Sequence, residues 1–588
     1  MIVLGLNAFH ADSSAAIVRD GQLVAAAEEE RFRRVKHWAG FPSRAIAYCL
    51  REAGVRLEDV EHVAVNQDSR ANFLRKVGYF LLHRPSISLV SRRLENRRAR
   101  ASIPELLAQA FPGQPTRARL HHVEHHLAHL SSAFHVSPFE QAAVASIDGF
   151  GDFSSTAWAT AAGSELHHYG RVYFPHSLGI FYQALTQFLG FPHYGDEYKV
   201  MGLAPYGKPS LLESMRKIVR LFPSGGFELD LGFFRHHRDD TSYEWTNGSP
   251  EFGDLFSPVL EELLGPRRSP DAALEQRHYD IARSVQAMYE EAFFNLLRAL
   301  HARSGMANLA LAGGCAMNSV ANGKVRRETP FRRVYVQAAA GDAGGAIGSA
   351  FAVWHKLGGA RKFVMDHAYW GPSFERESIT SQLAAHQADI HAAGCVVEEM
   401  PDEGELCRRV AAEIADGKVV GWFQGRMEWG PRALGNRSIL CDPRRADMKA
   451  LLNAKIKRRE SFRPFAPSVL EEAVPDWFEE DDAVPFMMQV FQIREDKRPL
   501  IPAVTHVDGS GRLQTVSRRT NPRYHRLIDA FRGLTGIPMV LNTSFNENEP
   551  VVCEPKEALE CFLRTKMDTL SMGNTMISRN QQPSGKDG

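Results

Sequence analysis

The segment His121–Ser155, HHVEHHLAHLSSAFHVSPFEQAAVASIDGFGDFSS, gathers three metal-binding residue types, His125, His129 and Asp148, in one short stretch. Helical side chains four apart share a face, so HHLAH sets the His125 and His129 imidazoles side by side. AAVASID then reads as a short apolar strand that ends in a carboxylate and runs into a glycine turn, GFGD. Two helical imidazoles beside a strand-tip carboxylate form a mixed nitrogen and oxygen ligand set, suited to iron, manganese or zinc better than to calcium. Histidines at this spacing are also ordinary surface or core residues; the carboxylate strand and glycine turn behind them favour a metal centre. A later glycine turn, AAAGDAGGAIGSA, carries Asp342, well placed as a fourth ligand.

The elements that must position these residues begin at the N-terminus. Ile2–Leu6 reads as a strand, Asn7–Ser14 as a polar turn bearing His10 and Asp12, and Ala15–Arg19 with Leu23–Glu28 as a hairpin across Asp20-Gly21. Strand, polar turn and hairpin is how the actin, heat-shock ATPase and sugar-kinase superfamily opens its phosphate-binding sheet. From that turn His10 could reach a phosphate or an acceptor hydroxyl. Lys36, in EEERFRRVKH, could supply a cation beside it, or the run could be a solvated helix start.

Ala307–Ala312 is a strand leading into GGCAMNS, with Gly313, Gly314 and Asn318; Val334–Val336 leads into the turn holding Gly341, Asp342 and Gly345. Such turns let backbone approach closely and offer helix N-terminal amides to phosphate. Together with the N-terminal turn and GFGD they imply a nucleotide cleft. EYKVMGLAPYG, with Lys199, has the composition of a loop lying over a ligand. Phe174–Phe191 reads as an apolar core helix, the basic run in Ser91–Arg100 as a solvated helix face, and Leu211–Arg277 as an irregular insertion without legible chemistry. No internal repeat of fixed period is visible, although this fold class contains two similar halves.

A boundary over Ala360–Gly371 separates a domain at 1–359 from one at 360–588. The second has a helix at Glu405–Ala415, a strand at Val419–Phe423, and then the densest cationic stretches, Gly425–Leu440 and Leu452–Leu470. Arg432, Arg437, Lys457 and Arg463 stand there among prolines, glycines and apolar residues. Guanidinium forks hold carboxylates and phosphates bidentately, so an anionic ligand is expected; ion pairing within the domain is the alternative. Arg512 adds a further cation, and MVLNTSFN supplies Asn542, Ser544 and Asn546 to a ligand's phosphate or carbonyl.

At 588 residues the chain is too long for one core. Hydrophobic content of 44% and charged content of 24% are those of a globular protein, and a net charge of +1 points to neither a nucleic-acid binder nor a membrane-surface protein. The N-terminus has no basic region of a signal peptide, and no apolar run approaches the roughly 20 residues of a membrane span. Seven scattered cysteines with no CxxC pair indicate a reducing compartment. A cytoplasmic enzyme is expected.

With EERF…KH, HHLAH, EYKVMGLAPYG, LAGGCAMN, AAAGDAG, GRMEWGPRALGNRSIL, FRPFAPSVL and LNTSFN assembled, nearly the whole chain resembles the O-carbamoyltransferases of the NodU, CmcH and TobZ type. The resemblance implies an α/β protein with an N-terminal domain similar to the tRNA threonylcarbamoyl transferase TsaD, of the actin, heat-shock ATPase and sugar-kinase class. It implies a C-terminal domain similar to YrdC that makes carbamoyl adenylate from carbamoyl phosphate and ATP. The N-terminal domain, holding a divalent metal that is usually iron(II), would then pass the carbamoyl group to a hydroxyl.

Carried onto this sequence, the metal ligands are His125, His129, Asp148 and Asp342, and His10 lies at the transfer site with Lys36 as an anion partner. Lys457, Arg432, Arg437, Arg463, Arg512, Ser544 and Asn546 line the adenylation site, where magnesium could accompany ATP. Relatives carbamoylate aminoglycosides, macrocycles, cephems, toxins and nodulation oligosaccharides, so a small hydroxylated molecule is the expected acceptor. Neither nucleic acid nor membrane is an expected partner, and a homodimer is compatible with the resemblance. The alternatives are a threonylcarbamoyl transferase acting on tRNA and a sugar-kinase-like ATPase. The fused second domain and near-neutral charge argue against the first, and the histidine pair is superfluous to the other.

Overall fold

The computed structural model describes residues 1–83, 103–238 and 248–580, so the basic run of Ser91–Arg100 lies outside the described residues. The chain divides into two units, Met1–Met365 and Asp366–Gly588. The first is built on two five-stranded sheets. One holds β1 (Ile2–Asn7), β2 (Ser14–Arg19), β3 (Gln22–Glu28), β4 (His62–Val65) and β5 (Arg119–His122) in the order β3-β2-β1-β4-β5. The other holds β6 (Gln141–Gly151), β7 (Ser154–Ala162) and β8 (Glu165–Tyr173) with the later strands β11 (Asn308–Ala312) and β12 (Arg333–Val336), in the order β12-β11-β6-β7-β8. A short hairpin, β9 (Val219–Leu221) with β10 (Phe227–Leu229), lies between them in sequence.

Each sheet has an antiparallel meander followed by two strands parallel to its first strand. The duplication is therefore one of topology: both halves share an order that no repeat in the sequence reveals. It is the arrangement of the actin, heat-shock ATPase and sugar-kinase class. The β2–β3 hairpin turns through Asp20 and Gly21, both with positive φ, the geometry that a two-residue turn between twisted strands requires. Residues 142–148 of β6 are continuously buried, as suits a central strand covered on both faces.

Two helices carry the functional ends. His125–Phe134 and Gly344–Lys356 pack closely through small residues: a Cβ on Gly348 would stand 1.9 Å from the Ala128 carbonyl oxygen, and one on Gly5 in β1 would stand 2.0 Å from that of Ala346. Leu4, Leu6, Ile17, Ile46, Val63 and Val65 form part of the core of the first sheet. EYKVMGL is not a loop: Glu197–Leu203 is helical and continues into a 3-10 turn at Ala204–Tyr206. Within Leu211–Arg277 the described residues include the helix Leu212–Ile218, the β9–β10 hairpin and the helix Val259–Leu264, so that stretch is more regular than its composition suggests.

The second unit is a nine-stranded mixed sheet. Its strands are β13 (Cys395–Glu399), β14 (Val420–Phe423), β15 (Arg437–Cys441), β16 (Ala466–Leu470), β17 (Gln489–Gln492), β18 (Ser510–Val516), β19 (Met539–Ser544), β20 (Thr569–Met572) and β21 (Thr575–Arg579). They run in the order β13-β21-β20-β14-β15-β19-β16-β18-β17. Helices Glu403–Ala415 and Pro522–Thr535 pack against each other, contributing Leu406, Val410, Leu527 and Phe531 to the core with Trp422 of β14. No helix among the described residues is long and apolar enough to cross a membrane.

Candidate functional site

The first site lies where the tip of β6, the helix His125–Phe134 and the turn before Gly344–Lys356 meet. His129 Nε2 stands 2.8 Å from Asp148 Oδ2, and His125 Nε2 stands 3.2 Å from the same oxygen. Both imidazole nitrogens are 3.5 Å from Asp342 Oδ1. The four candidate ligand atoms lie within 4.8 Å of one another, and the two histidines are each 1% exposed. Helical spacing gathers the imidazoles, as expected. The structure differs at Asp148: β6 does not end there but continues to Gly151, with its register to β7 broken between Ile147 and Gly151. The turn is made by Asp152 and Phe153, both in left-handed backbone. A bulge re-aims side chains, and this one begins at the carboxylate that faces the histidines.

Close backbone approach explains two glycines. A Cβ on Gly151 would lie 2.0 Å from His125 Cγ, and one on Gly314 would lie 2.8 Å from Asp148 Oδ1, which accepts the Gly314 and Gly149 amides. Gly149 and Gly314 thus brace a ligand carboxylate, while Gly313 packs on the Ile147 backbone. Gly345 packs on Asn66, and Gly341 faces Met317. Asn318 caps the short helix Ser319–Asn322 and pairs with Gln286.

The charges fit a cation. Burial would lower the His129 pKa, but hydrogen bonds and charge from Asp148 and Asp342 outweigh it and raise it to about 9. Burial and the Asp148 charge push Asp342 up to about 6 despite the histidines, while Asp148, hydrogen-bonded to both imidazoles, is held well below its usual value despite burial. The buried Asp342 Oδ1 meets no donor nearer than those two nitrogens. A two-histidine, two-carboxylate set with an oxygen aimed at its centre suits a divalent transition metal. His126, the remaining histidine of HHLAH, is different: it bonds Ser146 Oγ, and burial, with the His125 charge, lowers its pKa to about 3. It is a neutral structural residue.

Residues not singled out in the sequence hold this site. Glu124 caps the helix through the Leu127 amide and grips Arg171 through two hydrogen bonds of 2.6 and 2.9 Å. Asp152 Oδ2 accepts the backbone amides of His125 and Asp68, tying β6's turn to the ligand helix. Glu124 departs from the usual small N-cap residues, which is why the sequence pattern did not mark it.

His10 stands beside the metal-type ligands, its Nδ1 3.9 Å from Asp342 Oδ2 and its ring centroid 5.2 Å from that of His125. Asp12 pairs instead with His37, at 2.8 Å. Burial would lower the His37 pKa, but Asp12, Glu30 and Glu197 raise it to about 9. Lys36 is exposed, and its neighbour His37 is the residue turned toward Asp12. Lys199 pairs with Asp196 at 2.8 Å.

In the second unit, Arg432, Arg459 and Arg463 surround Arg512, whose pKa is held well below its usual value by burial and by those three positive charges. Arg512 Nε is buried and makes no hydrogen bond among the described residues. Arg463 also pairs with Glu460 at 3.5 Å, so ion pairing within the unit accompanies this grouping of guanidiniums. Arg459, which stacks on Phe465, was not anticipated: within KIKRRESF nothing distinguishes it from its neighbours.

Three expected ligand residues have partners within the unit. Arg437 is completely buried, stacked on Phe423, with its guanidinium donating to carbonyls of Pro372, Gln424, Gly425, Asn436 and Cys553. Asn542 is buried and donates to Ala433 O, Ser468 Oγ and Gln514 Oε1. Both are structural, because a buried polar group must satisfy itself internally. Lys457 ends a π-helical turn and donates to the carbonyl and side-chain oxygens of Ser544 and Asn546, at 2.6–3.3 Å, so it organises that loop.

Residues 2–351 match the family model described as carbamoyltransferase N-terminus, and residues 411–579 the one described as carbamoyltransferase C-terminus. The chain is 41% identical to an uncharacterized protein, sll1178, of Synechocystis sp., over 99% of this chain and 97% of that one. It is 40% identical to nodulation protein NolNO of Sinorhizobium fredii, over 97% of this chain and 80% of the relative. Nodulation protein NolO of Bradyrhizobium diazoefficiens is 40% identical over 78% of this chain and 79% of its own.

Proposed function

Because this chain belongs to the carbamoyltransferase family, we propose that it carbamoylates a hydroxyl of a small molecule in two ATP-dependent half-reactions, one in each unit. In the second unit, carbamoyl phosphate, ATP and water give carbamoyl adenylate, with phosphate and pyrophosphate leaving. Arg432, Arg459, Arg463 and Arg512 bind the phosphate groups and stabilise the charge that builds on the α-phosphoryl group. A site closed over the bound phosphates limits water, which would otherwise destroy the intermediate. The observation that carries this reading is the grouping of Arg432, Arg459 and Arg463 with Arg512, whose Nε is buried without a hydrogen bond among the described residues and whose pKa is lowered by burial and then by those three charges.

In the first unit the acceptor oxygen attacks the carbamoyl carbon, the bond from that carbon to the adenylate oxygen breaks, and AMP leaves. His10 takes the acceptor's proton as general base. His125, His129, Asp148 and Asp342 hold a divalent metal, which when bound supplies Lewis-acid polarisation of a carbamoyl or phosphate oxygen. Gly149 and Gly314 keep the Asp148 carboxylate aimed, and the Glu124–Arg171 and Asp152 contacts keep the histidine helix in register with it. Iron(II) is the metal that the family resemblance favours.

The purified chain, given ATP and carbamoyl phosphate, releases pyrophosphate in a carbamoyl-phosphate-dependent reaction under this proposal. Pyrophosphate release indifferent to carbamoyl phosphate, or none at all, refutes it. A screen of hydroxylated metabolites for a mass gain of one carbamoyl group identifies the acceptor.

A further inference from the structure

The loop between β14 and β15, EWGPRALGN, is buried on either side of Pro431 and Arg432, and lies outside the β14–β15 ladder. Its shape is set by side chains. Glu428 is 3% exposed, and its Oε1 alone accepts the amides of Leu434 and Asn436 at 2.8 Å and of Arg437 at 3.2 Å. The Gly435 amide bonds Ser438 Oγ. The carbonyls follow suit: Ala433 receives Asn542, Leu434 receives Tyr369 and Gln514, and Gly435 receives the Trp422 indole. Arg432, one of the guanidiniums around Arg512, directly precedes this clamped segment.

We infer that Glu428 is the positioning residue of the second unit's anion site, its one oxygen gathering three amides so that the loop presents Arg432 to the other arginines. The inference rests on the reading of that cluster as the phosphate-binding site. It assigns the carboxylate the task of an acceptor at a fixed reach, not that of a counter-charge. Three converging N–H groups need an acceptor with no hydrogen of its own on that oxygen, which both a carboxylate and an amide oxygen supply. The coupling to Arg432 runs through the backbone of residues 433–437, whose amides Glu428 gathers.

Two conservative variants separate reach from charge. Glu428→Gln keeps an oxygen at the same reach and removes the charge; Glu428→Asp keeps the charge and withdraws the oxygen by about 1.5 Å, one carbon–carbon bond. The expected result is that Glu428→Gln retains carbamoyl-phosphate-dependent pyrophosphate release within about tenfold, while Glu428→Asp loses about a hundredfold or more in kcat/KM for carbamoyl phosphate. On an Arg432→Ala background Glu428→Asp adds no further loss, because both act through one guanidinium. The reverse order, Asp active and Gln inactive, overturns the inference, as do losses that multiply on the Arg432→Ala background.

Should Glu428→Asp fail to fold, a hundredfold loss in well-folded Glu428→Gln still overturns it. Should the wild-type chain release no pyrophosphate, the adenylation reading fails by itself. Calorimetric titration with inorganic pyrophosphate then decides the role of Glu428: Glu428→Gln binds as the wild type does, Glu428→Asp binds at least tenfold more weakly, and equal binding by all three overturns the inference.

Discussion

Replacing Gly151 by alanine tests how the metal-type ligands are held. The added Cβ would stand 2.0 Å from His125 Cγ and 2.1 Å from Cδ2, deep inside contact distance. To reach ordinary carbon–carbon contact of about 3.5 Å the ring must retreat by about 1.5 Å, whereas ligand distances in a working metal site tolerate only about 0.2 Å. The ring has nowhere to retreat, being 1% exposed and packed beside His126, His129 and His10. The expected outcome is a folded protein whose divalent-metal affinity falls by a factor on the order of a hundred, comparable with the larger losses seen when ligand support is removed. Gly149, two residues earlier, is the control: a Cβ there meets nothing within 4 Å, so Gly149→Ala should bind metal as the wild type does. Metal titration followed by elemental analysis reads both. Wild-type affinity in Gly151→Ala would show that the site accommodates a displaced His125, and the argument from fixed ligand geometry would fail.

His125→Ala and His129→Ala should each lose the metal while pyrophosphate release in the second unit continues; full occupancy in both variants would make the pair structural. Arg437→Ala should destabilise the second unit by at least about 3 kcal/mol, since it leaves several buried carbonyls unpaired, and a chemical-denaturation curve unchanged from wild type would contradict this. Burial raises the Glu124 pKa, but the hydrogen bonds and charge of Arg171, with the Leu127 amide, outweigh it and hold it at about 2, against 4.5 unperturbed. A depressed carboxylate pKa stabilises the fold above the unfolded value and ceases to do so as pH falls from about 4.5 through about 2, here by on the order of 2–3 kcal/mol. Urea titrations across that window should show the loss in the wild type and not in Arg171→Leu. His10→Asn should still make carbamoyl adenylate yet transfer the carbamoyl group about a hundredfold more slowly or worse; normal transfer from supplied adenylate would move the base elsewhere.

Local pattern was enough for the pieces whose physics is local. Four-residue spacing put His125 and His129 on one helical face, Asp20-Gly21 specified the β2–β3 turn, and strand and glycine-turn units marked the ends of β11 and β12. Family-specific motifs then identified both halves of the chain. What the sequence could not decide is where a buried side chain finds its partners, because those partners lie tens or hundreds of residues away. Arg437 and Arg432 stand in the same motif with the same charge. Only the tertiary fold surrounds the first with carbonyl oxygens and sets the second near the Arg512 guanidinium. The internal partners of Asn542 and Lys457 were hidden for the same reason, and Glu428, Glu124 and Asp152 were overlooked because a carboxylate that collects backbone amides leaves no periodic trace. The duplicated sheet order is the largest case. Strand order is fixed by pairing between distant segments, so two halves can share a topology while their sequences share no visible repeat.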